Sequence, residues 1–226
     1  MKILIACEES QAVCKEFRAL GHETYSCDLY ECSGGHPEWH IKGDCLPILN
    51  GKCKFITQNG DCHIINSRWD LIIAHPPCTH LSSSGQWAYS KGKDINLKYE
   101  AIKFFMKFVN ADCDKIAIEN PIGVMSKEYR KPDQIIQPYW FGDKAQKSTC
   151  LWLKGLPLLQ PTNIVEKGEF VEWVDKKTGR TKRQSKYDID ILKNAKTKEE
   201  RSRLRSKTFP GIAKAFASQW SIRGEY

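Results

Sequence analysis

Two short motifs in this 226-residue chain set reactive groups on backbone with little freedom. His75-Pro76-Pro77-Cys78 closes one apolar run, and its paired prolines fix φ and hold Cys78 in a rigid loop. Glu119-Asn120-Pro121 closes a second apolar run about forty residues later. A rigid thiol beside a carboxylic acid suits attack on an electron-poor ring. The sulfur adds to a ring carbon, and the acid protonates or hydrogen-bonds the ring nitrogen that gathers charge. A lone cysteine is more often a small core hydrophobe; the coincidence of the two motifs, each after an apolar run, is what points to chemistry. Two other polar clusters follow apolar runs. Cys7-Glu8-Glu9-Ser10 makes a turn into a helix, and Asp28 offers a carboxylate of the kind that takes ribose hydroxyls.

The elements that would carry these groups follow from periodicity. Lys2–Ala6 is a buried strand, and Ala12, Val13, Phe17 and Leu20 then recur at helical spacing, with Ser10 as the expected cap and Gly21 as the stop. Glu23–Asp28, Trp69–Ala74 and Lys115–Glu119 read as further strands, the last stopped by Asn120-Pro121, and Asn96–Asn110 reads as a helix. This rhythm predicts a doubly wound α/β sheet, in which ligands bind outside the carboxyl ends of the strands. Beyond it come a strand at Ser148–Lys154, a strand at Phe170–Val174 with a hairpin turn at Thr178-Gly179, and a closing helix through Ile212, Ala215, Phe216 and Trp220. Residues 160–207 are otherwise polar, basic and weakly periodic, and no repeat is present.

Charge is concentrated. Residues 1–175 hold 20 Lys and Arg against 22 Asp and Glu, whereas residues 176–207 hold 13 against 4. That block reads as a phosphate-facing segment, against the plainer alternative of a solvated loop. No apolar run approaches the ~18 residues of a membrane span, and the first strand meets Glu8 too soon for a signal peptide. A cytoplasmic protein with reduced thiols is therefore expected. The ten cysteines include no C-x-x-C pair. Cys27, Cys32, His36 and His40, and more weakly Cys53, Cys62 and His63, have loosely ligand-like spacing. Loop and core cysteines beside surface histidines are the favoured reading, and no metal is expected.

In these motifs the chain resembles the cytosine-C5 DNA methyltransferases, particularly the compact type often encoded by phages and prophages. Asp70–Cys78 is similar to the family's nucleophile motif and Ile118–Pro121 to its Glu-Asn motif. Gly43-Asp44 resembles the turn near the cofactor adenine, and Thr208–Ala213 resembles the late motif packed against the cofactor pocket. The matches run from about residue 3 to 155 and resume near 205.

The resemblance implies a Rossmann-like methyltransferase domain made of residues 1–159 and 208–226, with a small basic recognition segment, residues 160–207, inserted near the C-terminus. It implies S-adenosylmethionine as cofactor, held by Cys7, Glu8, Glu9, Asp28, Leu29, Asp44, Pro76 and Gly211. The target cytosine would swing out of the stack. Cys78 would attack C6, Glu119 would stabilise N3, and Asn120 with Pro77 would hold the loop. Double-stranded DNA would meet Lys147, Lys182, Arg183, Lys186, Arg203 and Arg205. A monomer in a bacterial or phage-infected cell is implied, with a specificity partner left open.

The chain departs from the family pattern in three places. Its first loop lacks glycine, so that Glu8 or Glu9 would take the methionine ammonium group. Lys147 stands where the family has an arginine, and a lysine cannot form the bidentate fork. The recognition segment is short, suited to phosphate contacts more than to base reading. Two alternatives stay open: a related transferase acting on a free pyrimidine nucleotide or with a modified cofactor, and a non-catalytic nucleic-acid-binding protein on the same fold.

Overall fold

The computed structural model describes residues 1–221; the last five residues of the expected 208–226 piece lie outside the described range. The described residues form eleven strands and six α-helices. Strand β1 (Lys2–Ala6) leads into α1 (Ala12–Ala19), followed by β2 (Glu23–Asp28), β3 (His40–Lys42), the hairpin β4 (Cys53–Ile56) and β5 (Cys62–Ile65), and β6 (Leu71–Ala74). Then come α2 (Asn96–Val109), β7 (Ile116–Pro121), α3 (Met125–Glu128), β8 (Gln134–Ile136) and β9 (Thr149–Lys154). The C-terminal part holds β10 (Phe170–Val174), β11 (Thr181–Ser185), α4 (Lys186–Asn194), α5 (Lys198–Ser206) and α6 (Pro210–Trp220).

Seven strands make the central sheet in the order β3-β2-β1-β6-β7-β9-β8. The first five are parallel, and β9 and β8 add an antiparallel edge. This is a mixed α/β architecture with a large, mostly parallel sheet flanked by helices, compatible with a Rossmann-like fold. The central strands are apolar without alternation because both sheet faces are covered. Ile3, Ile5, Leu71 and Ile73 pack with Val13 and Phe17 of α1 and with Phe216 and Trp220 of α6. On the opposite face, Leu4, Ile72, Ile116 and Ile118 pack with Phe105 and Phe108 of α2.

Strand β1 pairs with β2 on one side and β6 on the other, so the chain reverses its direction of winding between β1 and β6. A crevice opens at such a switch point. The polar motifs after β1 and β6 flank it.

Several elements differ from the sequence reading. Strand β7 continues through Asn120 to Pro121, because β9 runs antiparallel beside it and pairs Asn120 with Cys150 and Pro121 with Thr149. Ser10 is only a weak cap for α1, its hydroxyl lying 3.4 Å from the Ala12 amide. Glu8 caps the helix instead, accepting from the Val13 and Cys14 amides at 2.6 and 3.2 Å. The basic segment is more ordered than its weak periodicity suggested. The expected β10–β11 hairpin is followed by two helices, each started by a side-chain cap. Ser185 accepts from the Asp188 amide at the head of α4, and Thr197 accepts from the Glu200 amide at the head of α5.

Candidate active site

The residues after β1 and β6 and at the ends of β2 and β7 meet at one edge of the sheet. The His75 amide extends the β1–β6 ladder by donating to the Ala6 carbonyl at 2.9 Å. Asn120, buried at the end of β7, donates from its side-chain amide to the Pro76 carbonyl at 2.6 Å. Together these bonds tie the Pro76-Pro77-Cys78 loop to both neighbouring strands.

Cys78 stands at the open face of this loop. Crowding by protein pushes its thiol upward, the Glu119 carboxylate adds to the rise, and Lys147 and Arg205 pull in the opposite direction. Glu119 is more enclosed. Burial alone would raise its carboxyl, but the hydrogen bond from His75 and the charges of His75 and Lys147 outweigh burial and hold it below the ordinary value. His75 Nδ1 lies 3.1 Å from Glu119 Oε2. The site thus joins a resting thiol to an ionised carboxylate that is itself held by a histidine.

A small cavity of about 30 Å³ lies on the β1 side, lined by Cys7, Glu8, Glu9, Asp28 and His75 and, from the later chain, by Ser206 to Thr208. This is room for a water or two. Glu9 is 7% exposed, and neither of its buried carboxylate oxygens has a partner among the described residues. Asp28 is half-buried at the end of β2; burial raises its carboxyl, and Oδ1 accepts from the Tyr30 amide. Leu29 and Tyr30 beside it are each 70% exposed.

The glycine-free first loop achieves its path by other means. Cys7 at φ 60° and Gln11 at φ 57° both take the left-handed conformation that favours glycine. Gln11 is held there by the loop across from it, its side chain accepting from the His36 amide at 3.1 Å and donating to the His36 carbonyl at 2.8 Å. Gly34 makes this approach possible, since a Cβ there would collide with Gln11 and the Ser10 carbonyl.

The remaining candidates fall in different places. The Glu8 carboxylate is taken up by α1 amides, which gives it a role in holding the loop. Asp44 is exposed beyond β3 and accepts from the Leu46 amide. Gly211 packs tightly under the Phe141 carbonyl, with no room for a Cβ, and donates to Asp143; Ser206, Lys207 and Thr208 are the residues at the cavity. Lys147 and Arg205 come together near Cys78, with Lys147 Nζ donating to the Arg205 carbonyl at 2.7 Å. Lys182, Arg183 and Lys186 lie on the hairpin and at the head of α4, opposed by Asp175, Glu172 and Glu169 respectively. Arg203 is exposed and makes no ion pair among the described residues.

His75 carried no role in the sequence reading, although its place between strand and nucleophile was a signal. The zinc-like sets are dispersed: both His40 nitrogens bond to Ser26 and the Tyr30 carbonyl, and His63 contacts Tyr25 and Thr57. Among the described residues no group of three or more His, Cys, Asp or Glu side chains is arranged to hold a metal ion. Nor is any described helix long and apolar enough to cross a membrane.

Fold and site define a mixed α/β protein whose polar residues gather at the switch point of a mostly parallel sheet. No protein-family model matches the chain, and no curated protein matches it either.

Proposed function

We propose that this protein methylates cytosine at C5 in double-stranded DNA, using Cys78 as nucleophile. The observation that carries the reading is the Asn120–Pro76 bond. It fastens the cysteine loop to the strand bearing Glu119, so that thiol and acid act on the same bound ring. A pyrimidine held there meets sulfur at C6 and the carboxyl at N3, the two positions whose joint engagement makes C5 electron-rich.

The donor chemistry fits the neighbouring cavity. Glu9 supplies an unpartnered buried carboxylate suited to an ammonium group, Asp28 suits a ribose diol, and Leu29 and Tyr30 offer apolar surface to an adenine. S-adenosylmethionine bound by these residues would supply the methyl group. Glu8 and Gln11 keep the loop in its left-handed path, while Pro76 and Pro77 hold the thiol still between the two half-sites.

Lys147 and Arg205 lie close enough to Cys78 to influence its thiol, which suits cations that grip the phosphates flanking a base drawn from the duplex. The decisive assay is nucleoside mass spectrometry of duplex DNA incubated with the protein and S-adenosylmethionine. New 5-methylcytosine, absent with Cys78→Ala, is the expected result. No new methylated base in DNA, or methylation only of deoxycytidine monophosphate, would overturn the reading.

A further inference from the structure

We infer that His75 acts through Glu119, supplying the proton that Glu119 passes to the ring nitrogen of the bound base. The inference rests on the cytosine reading above but concerns a residue which that reading leaves without a task.

The geometry is specific. His75 is nearly enclosed, with its side chain 7% exposed, and its Nδ1 is 3.1 Å from Glu119 Oε2. Nε2 is buried and has no hydrogen-bond partner among the described residues. The ring also lines the cavity with Cys7, Glu8, Glu9, Asp28 and Lys207. It therefore stands in the wall between two half-sites. Glu119 faces it from β7, with Lys147 acting on Glu119 from beyond. The carboxylates of Glu8, Glu9 and Asp28 lie on the cavity side.

The chemistry leaves a gap that this arrangement fills. An ionised Glu119 accepts hydrogen bonds but has no proton for a ring nitrogen. A histidine in contact with it can carry that proton near neutral pH. As Cys78 adds, its S–H proton leaves to water at the open face and the sulfur pair bonds C6. The C5=C6 pair moves to C4–C5, and the C4=N3 pair moves to N3. N3 takes a proton from Glu119, which takes one from His75 Nδ1, while Nε2 keeps its own hydrogen. When sulfur departs, the shifts reverse and the proton returns along the same path.

The test needs no cofactor. Addition at C6 lets C5 take a deuteron from heavy water and lose its original proton, so exchange of the cytosine C5 hydrogen in duplex DNA reports the adduct. His75→Asn retains a donor near Nδ1 but has no proton to give. His75→Gln, run in parallel with thermal melts of both proteins, covers the case in which asparagine impairs folding. The folded variant is expected to exchange about 100-fold more slowly than the parent near neutral pH. The ratio of variant to parent rate should also fall as pH rises, because the variant depends on solvent to protonate Glu119. Cys78 ionisation is common to both proteins and cancels in this ratio. A ratio independent of pH, or an unchanged rate, would overturn the proton role and leave His75 as packing. Absence of exchange in the parent, with the protein folded and bound to DNA, would overturn the cytosine reading and this inference with it.

Discussion

Asn120 donates to the Pro76 carbonyl at 2.6 Å across the gap between β7 and the loop after β6. That carbonyl belongs to the first of two prolines, a segment with no amide hydrogens of its own to anchor it. The loop is therefore held by groups outside it, and Asn120 is the one that reaches its centre. Replacing Asn120 with alanine leaves the buried Pro76 carbonyl without this donor, at a cost of about 1–3 kcal/mol. Thermal unfolding should show that loss. Methyl transfer should fall further than stability alone explains, while S-adenosylmethionine affinity, measured by calorimetry, stays near the parent value. Equal loss of binding and transfer would mean that Asn120 supports the whole crevice.

Cys78→Ala should end methyl transfer without unfolding the protein, because the side chain is exposed and removes little packing. The pH dependence has a definite sign. The Cys78 thiol is raised by its surroundings and by the Glu119 charge, so the rate at which iodoacetamide alkylates Cys78 should climb as pH rises through neutrality while the thiolate fraction grows. A flat alkylation profile over that range would argue against a raised Cys78 thiol.

The two acids after β1 should separate cleanly. Glu8 caps α1, so Glu8→Ala should cost about 1–2 kcal/mol of stability. Its folded carboxyl is raised, chiefly by burial, although the His75 charge and the Val13 and Cys14 amides oppose the rise. The folded state thus holds this proton longer than the unfolded chain does. The stability difference therefore favours acid pH and erodes as pH climbs from the ordinary glutamate value to the folded one, then levels. Glu8→Gln should remove that slope from denaturation curves taken as a function of pH. Glu9→Gln, by contrast, replaces an unpartnered buried carboxylate and should leave stability unchanged or raised. Both Glu9→Gln and Asp28→Ala should weaken S-adenosylmethionine binding, read by calorimetry, by roughly tenfold or more, as loss of a charge-assisted contact worth about 1.5–3 kcal/mol would require.

The parallel core was legible because Lys2–Ala6, Leu71–Ala74 and Ile116–Ile118 are apolar on both faces and end in abrupt polar motifs. Cys78, Glu119 and Asn120 could be found together for the same reason: each belongs to the polar motif that ends such a run. Three-residue β3 and β8 lack the length to show a period. The capping of α1 by Glu8 was not legible because its partners, two helix amides, come within reach only once the turn is folded. The Ser185-x-x-Asp188 and Thr197-x-x-Glu200 caps were visible in the sequence, but the surrounding charge hid the helices they start. His75 needed the β6–β7 pairing to bring it to Glu119.

The cavity beside Glu9 holds about 30 Å³, far less than a nucleoside needs, and Ser206 to Thr208 form the part of its lining that comes from outside the sheet. Cofactor binding should therefore move this segment outward. The Lys147–Arg205 bond pins it from the cysteine side. Hydrogen exchange on the intact protein should show residues 206–208 changing protection when S-adenosylmethionine is added, and Lys147→Ala should speed cofactor association. Unchanged exchange throughout this segment, with binding confirmed separately, would place the cofactor elsewhere on the crevice.

The basic segment divides into restrained and free cations, and DNA binding should reflect this. Lys182 is held by Asp175, whose carboxyl is pulled down to about 2 by the Lys182 hydrogen bond and then by the Thr178 and Lys177 amides. To meet a phosphate, Lys182 must leave an acid that remains to repel the same phosphate. Arg203 is exposed on α5 and has no such partner among the described residues. Arg203→Ala should therefore lower duplex affinity and reduce the slope of log affinity against log salt by about 0.9, the amount expected for one lost phosphate contact. Lys182→Ala should change that slope far less. Fluorescence anisotropy with a labelled duplex across a salt series distinguishes them. The reverse ranking would mean that the duplex lies along the β10–β11 hairpin and approaches Cys78 from that side.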